Sequence, residues 1–536
     1  MSAAIGWADW TLVALYIVGI VTLGCWAGWR QRRRDKENAG GYFLAGRSLS
    51  WITIGAALFS TNISTVHLVS LAQEGYVNGL LYGNFEWMAA FTLIALSLFF
   101  APFYIRSGVT TLPDFLERRY NRACRDWLAV LSIISAIFVH IGFSLYTGAV
   151  VLRGLLGIDI YPSIIAAAVL TGLYTIVGGL LAVVWTESLQ TVVLLLGAIS
   201  LTTIAYHHAG GWNGLTAVVD PVKLTVLRSA AEAPTLPWYA VLLGYPVIGL
   251  WYWCADQTIV QRVLGARDEN HARLGPLFAG FLKILPVFIF VLPGLLCEAL
   301  IRQGRLPSGL TDSADTYAFM VTHLLPVGLK GLVAAALLAA LMSTVSGALN
   351  SIATLFCWDL YRRFRPATPE RQLVTLGRWV TALAMIAGIL WTPFIRRYQS
   401  IFQGINTVIC YIAPPITTVF LFGVFWPRAS GVAAQWTLYL GSALGFVVFL
   451  LDWFKDHTGW NIPFMLAAFY LFVVCSAILV VLSWIRPHKH TAESRRLVWN
   501  HPFESLRFEG RPGWGNYRRW ALILFVTMVA LYVVFA

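Results

Sequence analysis

What most constrains this chain is a succession of fourteen apolar runs, each able to reach across the hydrocarbon of a bilayer as a helix rising 1.5 Å per residue. They cover roughly 9–29, 50–72, 79–105, 127–156, 161–179, 181–206, 238–260, 274–299, 317–358, 376–394, 398–425, 430–452, 460–485 and 519–536. The run 317–358 is too long to be membrane throughout, so its first part, to about Gly328, is expected to form an extracytoplasmic shoulder. The chain is 58% hydrophobic and 12% charged, about half the charged fraction of a soluble domain. It reads as an all-α polytopic protein, with residues 1–536 forming one membrane domain.

The net charge of +13, from 38 basic and 25 acidic residues, could suggest nucleic acid. The basic residues argue otherwise, because they sit in loops between apolar runs, as an anionic leaflet favours. One set of alternate loops carries Arg30, Arg32, Arg33, Arg34, Lys36 and Arg47, then Arg106, Arg118, Arg119, Arg122 and Arg125. It continues through Arg262, Arg267 and Arg273, through Arg362, Arg363, Arg365, Arg371 and Arg378, to Arg428 and the stretch from Arg486 to Arg519. The intervening loops hold few basic residues: Lys223, Arg228, Arg302, Arg305, Arg396, Arg397 and Lys455. The positive-inside rule places the first set in the cytoplasm and both termini outside, in a plasma (inner) membrane. Asp9 precedes the first run and the basic cluster follows it, the reverse of a cleaved signal. The seven cysteines lie mostly inside apolar runs with no close pairs, and read as small buried hydrophobes.

Polar side chains at membrane depth are tolerated where they face a bundle interior or a wet cavity. The densest such segment is Phe59-Ser60-Thr61-Asn62-Ile63-Ser64-Thr65-Val66-His67, followed past a Glu74-Gly75 break by a helix carrying Glu86. Others are Glu187, the Trp251 to Gln257 stretch, Lys283, and the group Ser343, Thr344, Ser346 and Asn350. Asn406 and Thr407 precede Ala413-Pro414-Pro415, which is expected to kink or break its helix. Asp256, close to Arg262, suits a cap or anchor at a helix end, and Tyr252 with its tryptophans could be an interfacial belt. Val109 to Arg125 is an amphipathic clamp with Pro113 near its first turn, and 486–518 is a loop to which no chemistry is assigned. Glu86 and Lys283 are the hardest to explain by packing, although a structural ion pair is one reading of them. A nucleophile elbow, HExxH and the phosphate-cradling GxxxxGK motif are all absent from the sequence, which leaves an ion gradient as the economical driving force.

These stretches resemble the sodium/solute symporter family, particularly its sodium/glucose cotransporter branch, from about Tyr42 to Pro427. Further matching motifs are Gly83-Asn84-Phe85-Glu86-Trp87, Leu173 to Leu180, Trp251 to Gln257 with Gln261-Arg262, and Leu341-Met342-Ser343-Thr344. The resemblance implies two five-helix inverted repeats, 50–206 and 238–425, each with a discontinuous first helix. Around them stand an extra N-terminal helix, 9–29, and C-terminal helices in 430–536 that include the cytoplasmic loop 486–518. It implies a sugar site of Asn62, His67, Glu86, Lys283 and Asn406, with Tyr252 as the inner gate. It further implies a sodium site from the carbonyls of Ser60, Ile63 and Ala340 and the hydroxyls of Ser343 and Thr344. Glu187 and Ser346 mark a second cation site, where Gly347 supplies no hydroxyl.

A set of neutral oxygens suits a monovalent ion better than calcium or magnesium. Two departures leave the solute open: Asn406 stands where the branch usually has Gln, and Gly249 where it commonly has Thr, removing a hydroxyl and adding room. The expected activity is sodium-coupled import of a neutral hexose by alternating access, with no enzyme activity and no cofactor beyond Na+ as coupling ion. Symport of myo-inositol, an amino acid or a carboxylate is the near alternative. A nontransporting sensor or leak channel is the distant one, and the near-complete set of ion and sugar groups counts against a pure sensor.

Overall fold

The computed structural model describes residues 6–35, 39–395, 401–487, 490–507 and 513–536. Lys36, Arg396 and Arg397, counted above with the loops, lie outside them. Among the described residues the regular structure is helical, with one isolated bridge joining Leu49 to Ala266. Eleven of the helices there are long and apolar enough to cross a membrane. Two of the fourteen apolar runs, 50–72 and 238–260, are interrupted helices, and the runs 161–179 and 181–206 are two helices that meet end to end at a kink at Gly179, within Ile160–His208.

In chain order the elements are α1 (Trp7–Asp35), α2 (Trp51–Asn62), α3 (Thr65–Asn78), α4 (Asn84–Ala95), α5 (Leu112–Arg119), α6 (Arg122–Leu156) and α7 (Ile160–His208). The second part brings α8 (Trp238–Leu250), α9 (Gln257–Leu264), α10 (Glu269–Arg302), α11 (Leu329–Phe364), α12 (Glu370–Ile395) and α13 (Ile401–Phe425). It ends with α14 (Gly431–Trp453), α15 (Phe464–Ile485) and α16 (Tyr517–Val534).

Each interruption has a local cause. Ser50 caps α2 by accepting from Thr53 N at 3.3 Å. The helix ends where Ile63 turns extended (φ −77°, ψ 99°) and gives its N–H to Phe59 O. In the α8 run, a π-helical turn over Trp251–Ala255 precedes extended Asp256, whose carboxylate caps α9 by accepting from Thr258 N at 2.6 Å. Tyr104 OH takes up the Cys254 carbonyl there at 2.6 Å. Inside α7 the turn is made by Gly179, with φ 58° and ψ −154°, and a Cβ at that position would lie 2.4 Å from Tyr42 O.

Two sequence expectations are corrected. The helix α3 runs straight through Glu74 and Gly75, and the break falls instead at Gly79 (φ 66°), followed by a tight turn over Gly79–Gly83. The helix α13 stays helical through Pro414 and Pro415, so no break occurs there. Pro415 has no N–H for the Tyr411 carbonyl, and Gly445 of α14 packs so closely that a Cβ would lie 2.1 Å from that oxygen.

The charged loops gather at two ends of the bundle. At one end Arg106 pairs with Glu269 at 2.9 Å, and Arg125 with Asp359 at 2.8 Å. The segment before α16 docks on this same end. Trp499 is buried, with N–H to Val424 O at 3.0 Å and Nε1 to Phe99 O at 3.2 Å. At the other end Glu298 pairs with Lys223 at 2.8 Å and Arg302 at 2.7 Å. Buried Asp9 there accepts from Gly328 N and Gly331 N, each at 2.7 Å, which ties α1 to the start of α11. The carbonyl of Phe535 accepts from Val226 N at 2.8 Å at this end too.

Candidate functional site

One internal cavity is lined by Asn62, His67, Glu86, Tyr252, Lys283 and Asn406, together with Ser64, His140, Ser144, Gly249, Trp253 and Thr344. All six residues expected at a solute site therefore share one space, although they come from α2, α3, α4, α10, α13 and the turn after α8. Phe85, Phe143, Tyr245 and Ile248 give it apolar walls.

The break between α2 and α3 shapes the polar side of this cavity. Ser64 N donates to His67 Nδ1 at 3.2 Å, so the imidazole covers the backbone at the start of α3 and keeps its proton on Nε2. That nitrogen faces Glu86 Oε1 at 3.8 Å. Lys283 Nζ contacts the other Glu86 oxygen, donates to Asn62 Oδ1 at 2.5 Å, and stands 5.7 Å from the Trp253 ring centroid. Asn62 Nδ2 in turn donates to Tyr252 OH at 3.1 Å. Glu86, Lys283, Asn62 and Tyr252 thus form a continuous polar chain across the cavity. Both charged members are buried, at 1% exposure each, so neither is a snorkelling side chain.

Beside it, the same break frees carbonyls of α2. Ser64 N is turned toward His67, and the Ser60 carbonyl accepts instead from Ser343 Oγ at 2.8 Å. The Thr61 carbonyl accepts from Thr344 Oγ1 at 3.0 Å, and Ala340 O lies 3.0 Å from Ser343 Oγ and 3.2 Å from Thr344 Oγ1. Ser60, Ala340, Ser343 and Thr344 therefore bring neutral oxygens together. Ile63 begins the extended segment beside them. Thr61 O is an addition that the sequence reading missed, and Ser60 Oγ is a buried hydroxyl without a hydrogen-bond partner.

Glu187 is placed differently from the rest. Arg262 grips it with Nε to Oε2 at 3.1 Å and Nη2 to Oε1 at 2.5 Å, and Thr61 Oγ1 lies 2.8 Å from Oε1. Both ends of this ion pair are fully buried. Gly347 makes it possible, because a Cβ there would lie 2.4 Å from Arg262 Nη2. Ser346 Oγ is turned back to Ser343 O at 3.0 Å. Arg262 is thus the partner of Glu187, and Asp256 is a helix cap bonded to His140. The space expected at Gly249 is likewise taken: a Cβ there would lie 2.7 Å from the Tyr245 ring and 2.9 Å from Thr92 Cγ2. His140 was passed over in the sequence, where its only signal was an imidazole in the middle of the run 127–156.

A helical membrane bundle whose interrupted helices converge on an internal polar cavity defines a solute transporter rather than an enzyme. A family model for the sodium:solute symporter family matches residues 42–441. The chain belongs to that family. It is 36% identical over 475 residues to sodium/glucose cotransporter 4 of Danio rerio, covering 83% of this chain and 72% of that protein. It is 34% identical over 540 residues to sodium/glucose cotransporter 1 of Oryctolagus cuniculus, covering 92% and 81%. Sodium/myo-inositol cotransporter 2 of the same animal is 35% identical over 479 residues, covering 83% and 70%. In fold it is similar to a substrate-bound, outward-open Na+-coupled sialic acid symporter. The TM-score is 0.77 at 21% identity, over 91% of this chain and 100% of the other.

Proposed function

We propose that this protein is a secondary active symporter that imports a neutral hexose together with sodium by alternating access. The observation that carries this reading is the convergence of Asn62, His67, Glu86, Tyr252, Lys283 and Asn406 on one cavity beside a broken helix. Vicinal hydroxyls of a pyranose both donate and accept, so a carboxylate, two amides and an ammonium can each take one or two of them. Glu86 and Lys283 cancel in charge, which suits a neutral solute better than an acid. Relatives named as sodium/glucose cotransporters support the same assignment. Tyr252 closes the cavity toward the basic end as the inner gate, and the basic end faces the cytoplasm with both termini outside. The repeats are 50–206 and 238–425.

Sodium is assigned to the oxygens of Ser60, Ile63, Ala340, Ser343 and Thr344, which are all neutral, as a weakly held monovalent ion requires. Replacing Ser343 and Thr344 by Ala together raises the sodium concentration for half-maximal uptake. Unchanged sodium dependence in that double variant removes the assignment. A second cation at Glu187 and Ser346 is not proposed, because Arg262 already supplies Glu187 with its counter-charge.

A second reading keeps the mechanism and changes the solute to myo-inositol. It is favoured by the inositol-cotransporter relative and by Asn406, a shorter amide than the Gln usual at that position. Sodium-driven uptake into proteoliposomes, competed by glucose, galactose, myo-inositol, amino acids and short carboxylates, separates these readings. Uptake of none of them under a sodium gradient overturns the symporter assignment.

A further inference from the structure

His140 is the titratable group in the cavity that the assignment above leaves without a role. It lies on a π-helical turn, Ala136–Gly142, in the middle of α6, a local irregularity frequent at functional positions. Its Nε2 is 3.2 Å from Asp256 Oδ2, while Asp256 Oδ1 caps α9. Its ring centroid is 6.2 Å from that of Tyr252. One imidazole therefore bridges α6 to the seam where the α8 run becomes α9, beside the gate residue.

The surroundings isolate this contact. The other charged and titratable groups lining the cavity are Tyr245, Tyr252, Glu86, Lys283 and His67, of which Tyr245 donates to Phe85 O at 2.8 Å, while Asp256 meets the imidazole from the seam. Glu86 and Lys283 are engaged with each other, and His67 Nδ1 is occupied by the Ser64 N–H, so a proton added there would break that bond. Arg262, six residues after Asp256, is held by Glu187. From α11 and α12 the turn meets apolar side chains, among them Leu341, Val345 and Trp391.

We propose that His140 and Asp256 form a latch that positions the Tyr252 gate, so that a proton taken up by the imidazole from the cavity slows inward opening. This inference rests on the symporter reading, because it needs Asp256 and α9 to move relative to α6 when the inside opens. A neutral imidazole donates Nε2–H to the Asp256 carboxylate, a bond already assisted by the acceptor's charge, and an imidazolium adds to it the attraction of a full positive charge. Protonation therefore favours the closed inner side.

The native Cys254, buried two residues before Asp256, supplies a reporter that needs no solute. In a variant keeping Cys254 as its sole cysteine, alkylation by N-ethylmaleimide is timed in proteoliposomes at several pH values, set equal on both sides of the membrane. Comparing variants at each pH cancels the thiol's own pH dependence. The ratio of His140→Gln to parent labelling rates is expected near one at the alkaline end of the series and severalfold higher at the acid end. His140→Lys, a permanent cation, is expected to label slowly throughout, so that its ratio to the parent approaches one only at low pH. A ratio independent of pH in both variants overturns the latch. Sodium-driven uptake of the same panel, glucose, galactose, myo-inositol, amino acids and short carboxylates, by these preparations forms the second arm. Labelling that behaves as expected with no uptake of any solute keeps the latch and discards the symporter reading, and uptake with pH-independent ratios does the reverse.

Discussion

Glu86 and Lys283 bear most directly on the solute, and the structure changes what their removal should do. They contact one another and are both buried, so deleting either strands a buried charge, a loss of about 3–5 kcal/mol where it has been measured. Glu86→Gln or Lys283→Ala alone is therefore expected to lower both thermal stability and sugar affinity. The double variant Glu86→Gln with Lys283→Gln should regain much of the stability and none of the affinity. Melting curves and binding titrations on purified protein check this, and a double variant that binds sugar normally removes both residues from the site. Gly249→Thr is expected to destabilise by about 1–3 kcal/mol through overpacking against Tyr245 and Thr92, seen as a lower Tm. The six residues that share the cavity stood out in the sequence as polar groups in or beside apolar runs, and it was the resemblance to the symporter family that grouped them as one expected site. Their partners were not legible there. That Lys283 reaches both Glu86 and Asn62, or that Arg262 chooses Glu187 over nearby Asp256, depends on distances between elements far apart in the chain.

At the scale of elements, the resemblance placed the two interrupted helices, and the residues at the breaks, the hydroxyl cluster around Ser64 and the cap Asp256, stood out in the sequence. Of the kink or break that Pro414 and Pro415 led one to expect in α13, the break does not occur, since neighbouring helices support the hydrogen bonding there. Gly75 misled at α3, where the turn belongs to Gly79 with its positive φ, a torsion that composition does not report. The contact of Glu187 with Arg262 and Thr61 fastens α7, α9 and the last turn of α2. Arg262→Gln is expected to unfold several degrees below the parent, and Glu187→Gln with Arg262→Gln to lose less than the two single losses combined. Additive losses in a thermal-shift series would mean that the two side chains do not depend on each other.

For the whole molecule, alternation of basic and sparse loops was the plainest signal in the sequence, and the two ends of the bundle follow it. Its orientation in the membrane follows from charge alone and can be measured. Among the described residues the native cysteines are buried apart from Cys25, which is partly exposed, so a background without it is quiet to polar reagents. Ser308→Cys, at the sparse end, is expected to react with an impermeant maleimide in intact cells, and Ala367→Cys, in the basic loop after α11, only after permeabilisation. The opposite pattern inverts the topology. The pairing of Glu86 with Lys283 has an electrical consequence for this same molecule. A unit charge crossing the full field is worth about 2.3 kcal/mol per 100 mV, but a carboxylate and an ammonium that move together carry none of it. The Glu187 and Arg262 pair is equally silent. The unloaded carrier's return stroke should then be nearly indifferent to membrane potential as far as these buried charges go, leaving the voltage dependence of the cycle to the sodium ion it carries inward.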